Sequence, residues 1–535
     1  MTDRKSQVTT YTYDALNRRT KATFQDGTST NYTYDAGNRI TQVQEKDASN
    51  VVTATITRTY DGLDRLTQEV TPQGQVDYTY DTASRRTSMT VAGQTQVTYT
   101  YDNANRLTQV QQGTDTVGIG YDIAGRRTSL TLPNTNSLTY AYNAASELTS
   151  VTYKQGTTTL GDLTYTYEAA GNRIKTGGTF ARTNLPPALT SATYNANNQQ
   201  TAFGTTTETY DLNGNLATST EAGVTTTYTW NARNQLTGIS RTGLTASLTY
   251  DSFGRRTGKT INGTTTNFLY DVLNPVQEKN GGTVTANLLT GLGINEFFTR
   301  TDSVGVRALL PDALGSTVAL ADSSGVLQTQ YTYEPFGVTT QTGAASTNSY
   351  KYTGREDDGT GLYYYRARYY QPQFQRFIAE DPIGFLGGDV NLYGYVGNNP
   401  VLLRDPMGLL TLGQGTLLGC GLGGVGGGIG AKKNKVFGAL TGGGLGCAFG
   451  TLIASGIPFP PTPIGIAIKA GVGAVTGGIS GGLTAAAGGG NTLNIAIGAF
   501  SGAAGGAIGN LVPGGPVLGA LTGFAVSTVI GAIGP

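Results

Sequence analysis

The chain has 535 residues, enough for several domains, yet only 13% of them are charged against roughly 25% in ordinary domains, and 78 are Gly. A net charge of +1 gives no general attraction to nucleic acid or acidic surfaces. There is no His, which excludes Ser–His and Cys–His nucleophiles, His-ligated zinc and His acid–base chemistry together.

The charge is unevenly placed. From Thr411 onward there are four Lys and no Asp or Glu, so this tail carries +4 and the total of +1 leaves −3 on residues 1–410. Cys420 and Cys447, the only cysteines, both lie in the tail. Two thiols cannot complete a zinc site; they read as small buried apolar residues, and a disulfide between them stays open. The opening MTDRKSQVTTYTYD enters a repeat without a basic-then-apolar signal segment, so export is expected to need another protein or a further N-terminal part.

In chain order, self-similarity comes first. Tyr-Thr-Tyr-Asp, a polar turn and Arg recur as YTYDALNRRT, YTYDAGNRIT, YTYDTASRRT and YTYDNANRLT, with shorter matches at Tyr60-Asp61, Tyr121-Asp122, Tyr210-Asp211, Tyr250-Asp251 and Tyr270-Asp271. Degenerate copies stand at Tyr142-Asn143, Tyr167-Glu168, Tyr194-Asn195 and Trp230-Asn231. Thr, Tyr, Val and Leu alternate with polar residues at period two, and Gly or Asn marks the reversals (Asp26-Gly27, Gln73-Gly74, Asn262-Gly263). Each unit is therefore read as a β hairpin. One hairpin cannot bury its apolar face alone, so the units of residues 1–275 are expected to stack edge to edge, making residues 1–410 almost wholly antiparallel β in one continuous coiled sheet. The offset from Asp14 to Arg19 and from Asp81 to Arg86 predicts an ion pair around each turn, a structural role given its repetition.

Residues 276–350 loosen the repeat into VRALLPDALGSTVALADSSGVLQTQYTYEPFGV. Residues 351–410 contain GLYYYRARYYQPQFQRFIAEDPIGFLGGDVNLYGYVGNNPVLLRDPMGLL, with two Asp-Pro-x-Gly motifs, Asp381 to Gly384 and Asp405 to Gly408, and the pair Arg366 and Arg368. Pro fixes φ and Gly permits a tight reversal, so each motif can present its carboxylate on a turn. Two carboxylates brought face to face cannot both ionise cheaply; one keeps a proton and the other acts as base.

This stretch, with LPDALGS and YTYEPFG before it, resembles the core of the Rhs/YD-repeat family, which includes polymorphic toxins, the C components of Tc toxins and the teneurin YD shell. The resemblance implies an all-β shell that ends in an intramolecular aspartyl protease and encloses a C-terminal payload. It maps the catalytic roles to Asp381, Asp405 and Arg368, with Arg366 a neighbour of less certain role. It maps the cut to the bond between Leu409 and Leu410.

The tail, residues 411–535, is Gly-rich: 38 of 125 residues. Gly-x-x-x-Gly spacing recurs (Gly438-Gly442-Gly446-Gly450, Gly473-Gly477-Gly481, Gly498-Gly502-Gly506, Gly515-Gly519-Gly523) in four uncharged runs, 436–457, 470–490, 493–512 and 516–534, each near the ~20 residues a membrane-spanning helix needs. Pro458, Pro460, Pro461 and Pro463 interrupt the array. Lacking Asp, Glu and His, the tail has no metal-ligating carboxylate and no catalytic Glu. The expectation is a toxin-like protein with a helical, membrane-active tail as its own encapsulated cargo, secreted or placed at the cell surface by a route not encoded here. A preceding shell or secretion component and the target-cell membrane are its expected partners; no cofactor, metal or nucleic acid is expected. The alternative is a non-cleaving YD-repeat structural or cell-surface interaction protein with an inert low-complexity tail.

Overall fold

The computed structural model describes residues 1–182 and 184–409, and in the tail only the backbone of three strands, Leu483–Ala487, Leu493–Ser501 and Ala504–Leu511. Two 16-stranded antiparallel sheets carry the repeat, and in each the spatial order is the chain order. The first runs from Thr10–Tyr13 to Arg173–Gly177, the second from Ala192–Tyr194 to Thr339–Gly343. The expected single sheet is thus interrupted once, in a connection containing Pro186 and Pro187, which have no N–H to give to a ladder.

The turn chemistry explains the motif. Asp14 Oδ1 accepts the N–H groups of Leu16 (2.9 Å) and Arg18 (3.0 Å), closing a loop whose Asn17 adopts φ 57°. Asn38, Asp64, Ser84, Asn105 and Gly125 take the same left-handed place in later turns, which is why short polar residues or Gly precede the Arg. The ion pair then forms with the first Arg after the turn: Arg18–Asp14, Arg39–Asp35, Arg65–Asp61, Arg85–Asp81, Arg106–Asp102 and Arg126–Asp122, at 2.5–2.7 Å. The expected Asp14–Arg19 and Asp81–Arg86 pairs are corrected by one residue. Arg19 instead donates to Tyr32 Oη (3.1 Å), and Arg86 reaches Asp271 on the other sheet (2.6 and 3.0 Å).

The same residues couple one repeat to the next. Arg18 Nη1 donates to the carbonyl of Asp35 and Arg39 Nη1 to that of Asp61 (3.1 and 3.0 Å). In return, the second Tyr of the following unit donates to the carbonyl just past the Arg, as in Tyr34 to Arg19, Tyr80 to Leu66 and Tyr101 to Arg86 (2.7–2.9 Å).

Alternation turns one face inward. Along Leu244–Tyr250, Leu244, Ala246 and Leu248 are buried and the residues between them exposed. One core joins Val76, Val110, Val117, Leu138 and Val151 of the first sheet to Leu269, Val276, Phe298 and Leu310 of the second. A second core joins Leu216, Leu236 and Ile239 to Leu362 and to Tyr364 and Tyr369 of a small four-stranded sheet, Glu356–Asp357 to Arg376–Phe377, whose second hairpin carries the Arg pair.

Leu410, Cys420, Cys447, both Lys-flanked and terminal runs of the tail and its proline cluster lie outside the described residues. Where the tail backbone is described, its three strands pair antiparallel. Gly lowers helix propensity by ~1 kcal/mol relative to Ala, and the alternating Ile495 and Ile497 favour a strand. No helix among the described residues is long and apolar enough to cross a membrane.

Candidate functional site

The Arg pair lies on a tight hairpin. Strands Tyr363–Tyr365 and Arg368–Gln371 are joined by Arg366 and Ala367, with Tyr365 opposite Arg368 and Arg366 at φ 61°. Tyr365, Tyr370, Phe377 and Tyr395 pack edge-on and tilted beneath it, with Tyr370 and Tyr395 centroids 4.4 Å apart. Tyr365 Oη is within 2.8 Å of Thr353 Oγ1 and 3.0 Å of Tyr395 Oη, which fixes the hairpin's inner face.

The second Asp-Pro-x-Gly motif is clamped along this turn. Ala367 N–H donates to the carbonyl of Met407 (3.1 Å), Arg366 Nη1 to that of Pro406, and Arg368 Nε to that of Gly408. Gly408 has φ 68°, and a Cβ there would lie 2.4 Å from the Tyr365 carbonyl, so only Gly allows this seat. Asp405 Oδ1 accepts the N–H groups of Met407, Gly408 and Leu409 at 3.2, 2.9 and 3.2 Å. Arg366 is also held by Asn295 Oδ1 (2.7 Å) and the Leu273 carbonyl (3.1 Å), so its contacts are to backbone and amide oxygens.

Asp381 arrives from the other side. Its Oδ1 accepts Ile383 N–H (3.0 Å), and its own N–H donates to the carbonyl of Leu392 (3.0 Å), the oxygen that Arg368 Nη1 also holds (2.8 Å). Arg368 Nη2 is 2.9 Å from Asp381 Oδ2 and 3.6 Å from Asp405 Oδ2. The guanidinium carbon lies 3.7 Å from the centre of the Phe377 ring. Arg368, Asp381 and Asp405 are 4%, 9% and 2% exposed, so one buried cation bridges two buried carboxyls.

Burial pushes the Asp381 carboxyl up to about 7; Arg368 and the Ile383 N–H oppose this, and Asp405 adds to it. Gly387 completes the geometry. A Cβ built on it would lie 2.8 Å from Asp381 Oδ2 and 3.1 Å from the carbonyl oxygen of Leu409, so these two oxygens flank one small gap. All described residues of the expected set, Arg368, Asp381, Asp405 and Leu409, therefore meet at one place, with Arg366 beside them; Leu410 lies outside the described residues. The sequence reading missed Gly387, Leu392, Phe377 and Asn295. The doubled Gly after the first motif was a signal for Gly387, whereas a backbone carbonyl such as Leu392 leaves none. Among the described residues no cluster of His, Cys, Asp and Glu could hold a metal.

The teneurin YD-shell family model matches residues 1–117, 47–137 and 112–401. The chain belongs to the teneurin YD-shell family. Among curated relatives, this YD-shell chain is 45% identical over 101 residues to toxin subunit YenC1 of Yersinia entomophaga, a match covering 18% of the chain and 10% of that protein. It is 40% identical over 104 residues to tRNA nuclease WapA of Bacillus subtilis (18% and 4%) and 36% identical over 100 residues to toxin protein Tse5 of Pseudomonas aeruginosa (18% and 8%). Each match thus spans a tenth or less of the relative. A solved Photorhabdus luminescens Tc holotoxin pore superposes with a TM-score of 0.54 at 18% identity, over 78% of this chain and 28% of that one. The TcdB2-TccC3-Cdc42 structure gives 0.54 at 19% identity, over 75% and 27%. At that identity these structures show the shared YD-shell fold.

Proposed function

We propose that the YD-shell chain cuts its own backbone between Leu409 and Leu410, releasing the segment from Leu410 onward as a payload. The observation that carries this is Arg368 bridging Asp381 and Asp405 where the Leu409 carbonyl borders Asp381. Asp381, able to keep a proton near neutrality, donates to the Leu409 carbonyl oxygen as negative charge develops there. Asp405 takes a proton from water, whose oxygen bonds to the Leu409 carbonyl carbon. The C–N bond to Leu410 then breaks, the amine leaves with a proton and Leu409 keeps a new carboxylate. Arg368 holds both acids in place and limits the cost of a buried negative charge.

Intact-mass measurement of purified protein is the test. Wild type is expected as two fragments, while Asp405→Asn and Asp381→Asn stay whole. A whole wild-type chain would remove the reading; equal cleavage in the variants would remove the assigned roles.

For the payload we propose action on membranes, supported by the absence of carboxylate side chains from residue 411 onward and by the Gly-x-x-x-Gly spacing. The toxin names of YenC1 and Tse5 support a toxin-like role, with the shell as partner and carrier of the payload. Dye release from anionic liposomes by residues 410–535 checks this, with Gly442, Gly446, Gly477 and Gly502 changed to Leu expected to lose it. No leakage from the unmodified segment would leave the tail inert.

A further inference from the structure

We infer that a cavity of ≈ 70 Å³ between the two long sheets and the core binds a small oxyanion through Arg404 and Arg127. It is centred away from the aspartates, although Arg404 directly precedes Asp405 in the chain and Asn295, which holds Arg366, also lines it. The first sheet contributes Arg127, Tyr140 and Leu148, the second Glu296, Phe298 and Asp312, and the core Arg404.

The case rests on which charges are already met. Arg127 Nη2 is paired with Glu296 Oε1 at 2.7 Å, and Glu296 Oε2 accepts Gly293 N–H at 3.1 Å, so that carboxylate is engaged at both oxygens. Asp312 Oδ1 accepts the N–H groups of Leu314 and Ser316, both at 2.8 Å. Burial holds the Asp312 carboxyl above its usual range.

Arg404 is met far less well. Its Nη1 donates to the Leu314 carbonyl at 3.1 Å, and Asp312 and Glu296 attract it only from beyond salt-bridge distance. A guanidinium carries five N–H donors, so most of this one is left to whatever fills the cavity. Arg127 adds a second donor: it is only 7% exposed, yet its Nε has no hydrogen-bond partner. Gly315 keeps the approach open, since at φ 82° it has no Cβ, and one there would lie 3.0 Å from Arg404 Nη1. The open donors of Arg404 and the unpartnered Nε of Arg127 favour an anion in the cavity over water alone.

Size narrows the ligand. At 10–15 Å³ per water the cavity holds roughly five waters, room for one phosphate-like ion and too little for a nucleotide. The site is independent of self-cleavage, so it stands or falls separately from the proposed function.

The test titrates the full chain with sodium phosphate against sodium chloride of equal ionic strength, following the unfolding temperature. Wild type should show a saturable rise of roughly 1–2 °C at tenfold Kd, absent in Arg404→Gln and Arg127→Gln. Because either variant could lose its fold, crystals of wild type grown in selenate provide the second reading, with an anomalous peak expected beside Arg404. A response equal to that of chloride, or a cavity holding only water while selenate binds elsewhere, overturns the inference.

Discussion

At Asp381 the folded carboxyl titrates near 7, whereas the ordinary value is 3.8. Below both values the proton is bound in either state. Between them the folded chain holds a proton that the unfolded chain has released, so stability from this group falls as pH rises, and the loss is complete above about 7. Urea unfolding from pH 4 to pH 7 should therefore show wild type losing about 2–4 kcal/mol relative to Asp381→Asn. A flat or rising difference would contradict the burial argument. In the cleavage reading the same ionisation removes the acid, and the rate should decline above pH 7. Gly387 gives a second residue-scale test. Gly387→Ala places a methyl between Asp381 and the Leu409 carbonyl and should slow cleavage by tenfold or more, about 1.4 kcal/mol of barrier. Gly384→Ala, in the same turn but with nothing within 4 Å of its Cβ, should cost only about 1 kcal/mol of stability at its φ of 59° and still cleave.

The hairpin repeat was readable because its causes are local. Period-two alternation marks the strands, and the polar residue before Arg marks the left-handed turn position. The ion pairs were misplaced by one residue because that turn position folds the first Arg back over its Asp and sends the second across the sheet, which spacing alone does not reveal. That the two Asp-Pro-x-Gly aspartates and Arg368 come together was expected from the motifs together with the family resemblance. Gly387 and Leu392 were not, since they act by close approach and by a backbone oxygen. The inter-repeat Tyr bond can be measured. Tyr101→Phe removes a hydroxyl that donates to Arg86 and should cost about 0.5–1.5 kcal/mol in chemical unfolding. Tyr13→Phe, at a position 58% exposed on the outermost strand, should cost less than about 0.5 kcal/mol. Equal losses would mean that the hydroxyls do not couple the repeats.

Across the whole molecule, the two long sheets share one core and are tied by buried pairs, Arg86–Asp271, Arg127–Glu296 and Arg255–Glu69. Arg86→Ala leaves Asp271 buried without its partner and should cost about 3–5 kcal/mol, whereas Arg85→Ala at the surface should cost about 1 kcal/mol or less. A shared core also predicts joint unfolding. Trp230, the single Trp, belongs to the second sheet, so its fluorescence should change in step with far-ultraviolet circular dichroism, to which both sheets contribute. A separate fluorescence transition would show that the sheets unfold independently.

Strand order that follows chain order has a consequence for synthesis. Each new hairpin finds its partner in the segment made just before it, so a nascent chain can acquire its sheets progressively from the ribosome, with little searching over long loops. The aspartate site belongs to the last stage of that assembly: its described parts lie between Arg366 and Leu409 and are braced by Asn295 and Leu273, both translated earlier. If the proposed self-cleavage occurs there, the site would become competent only after the sheets that carry it exist. Translation order itself would act as the timer that keeps the cut from preceding the container.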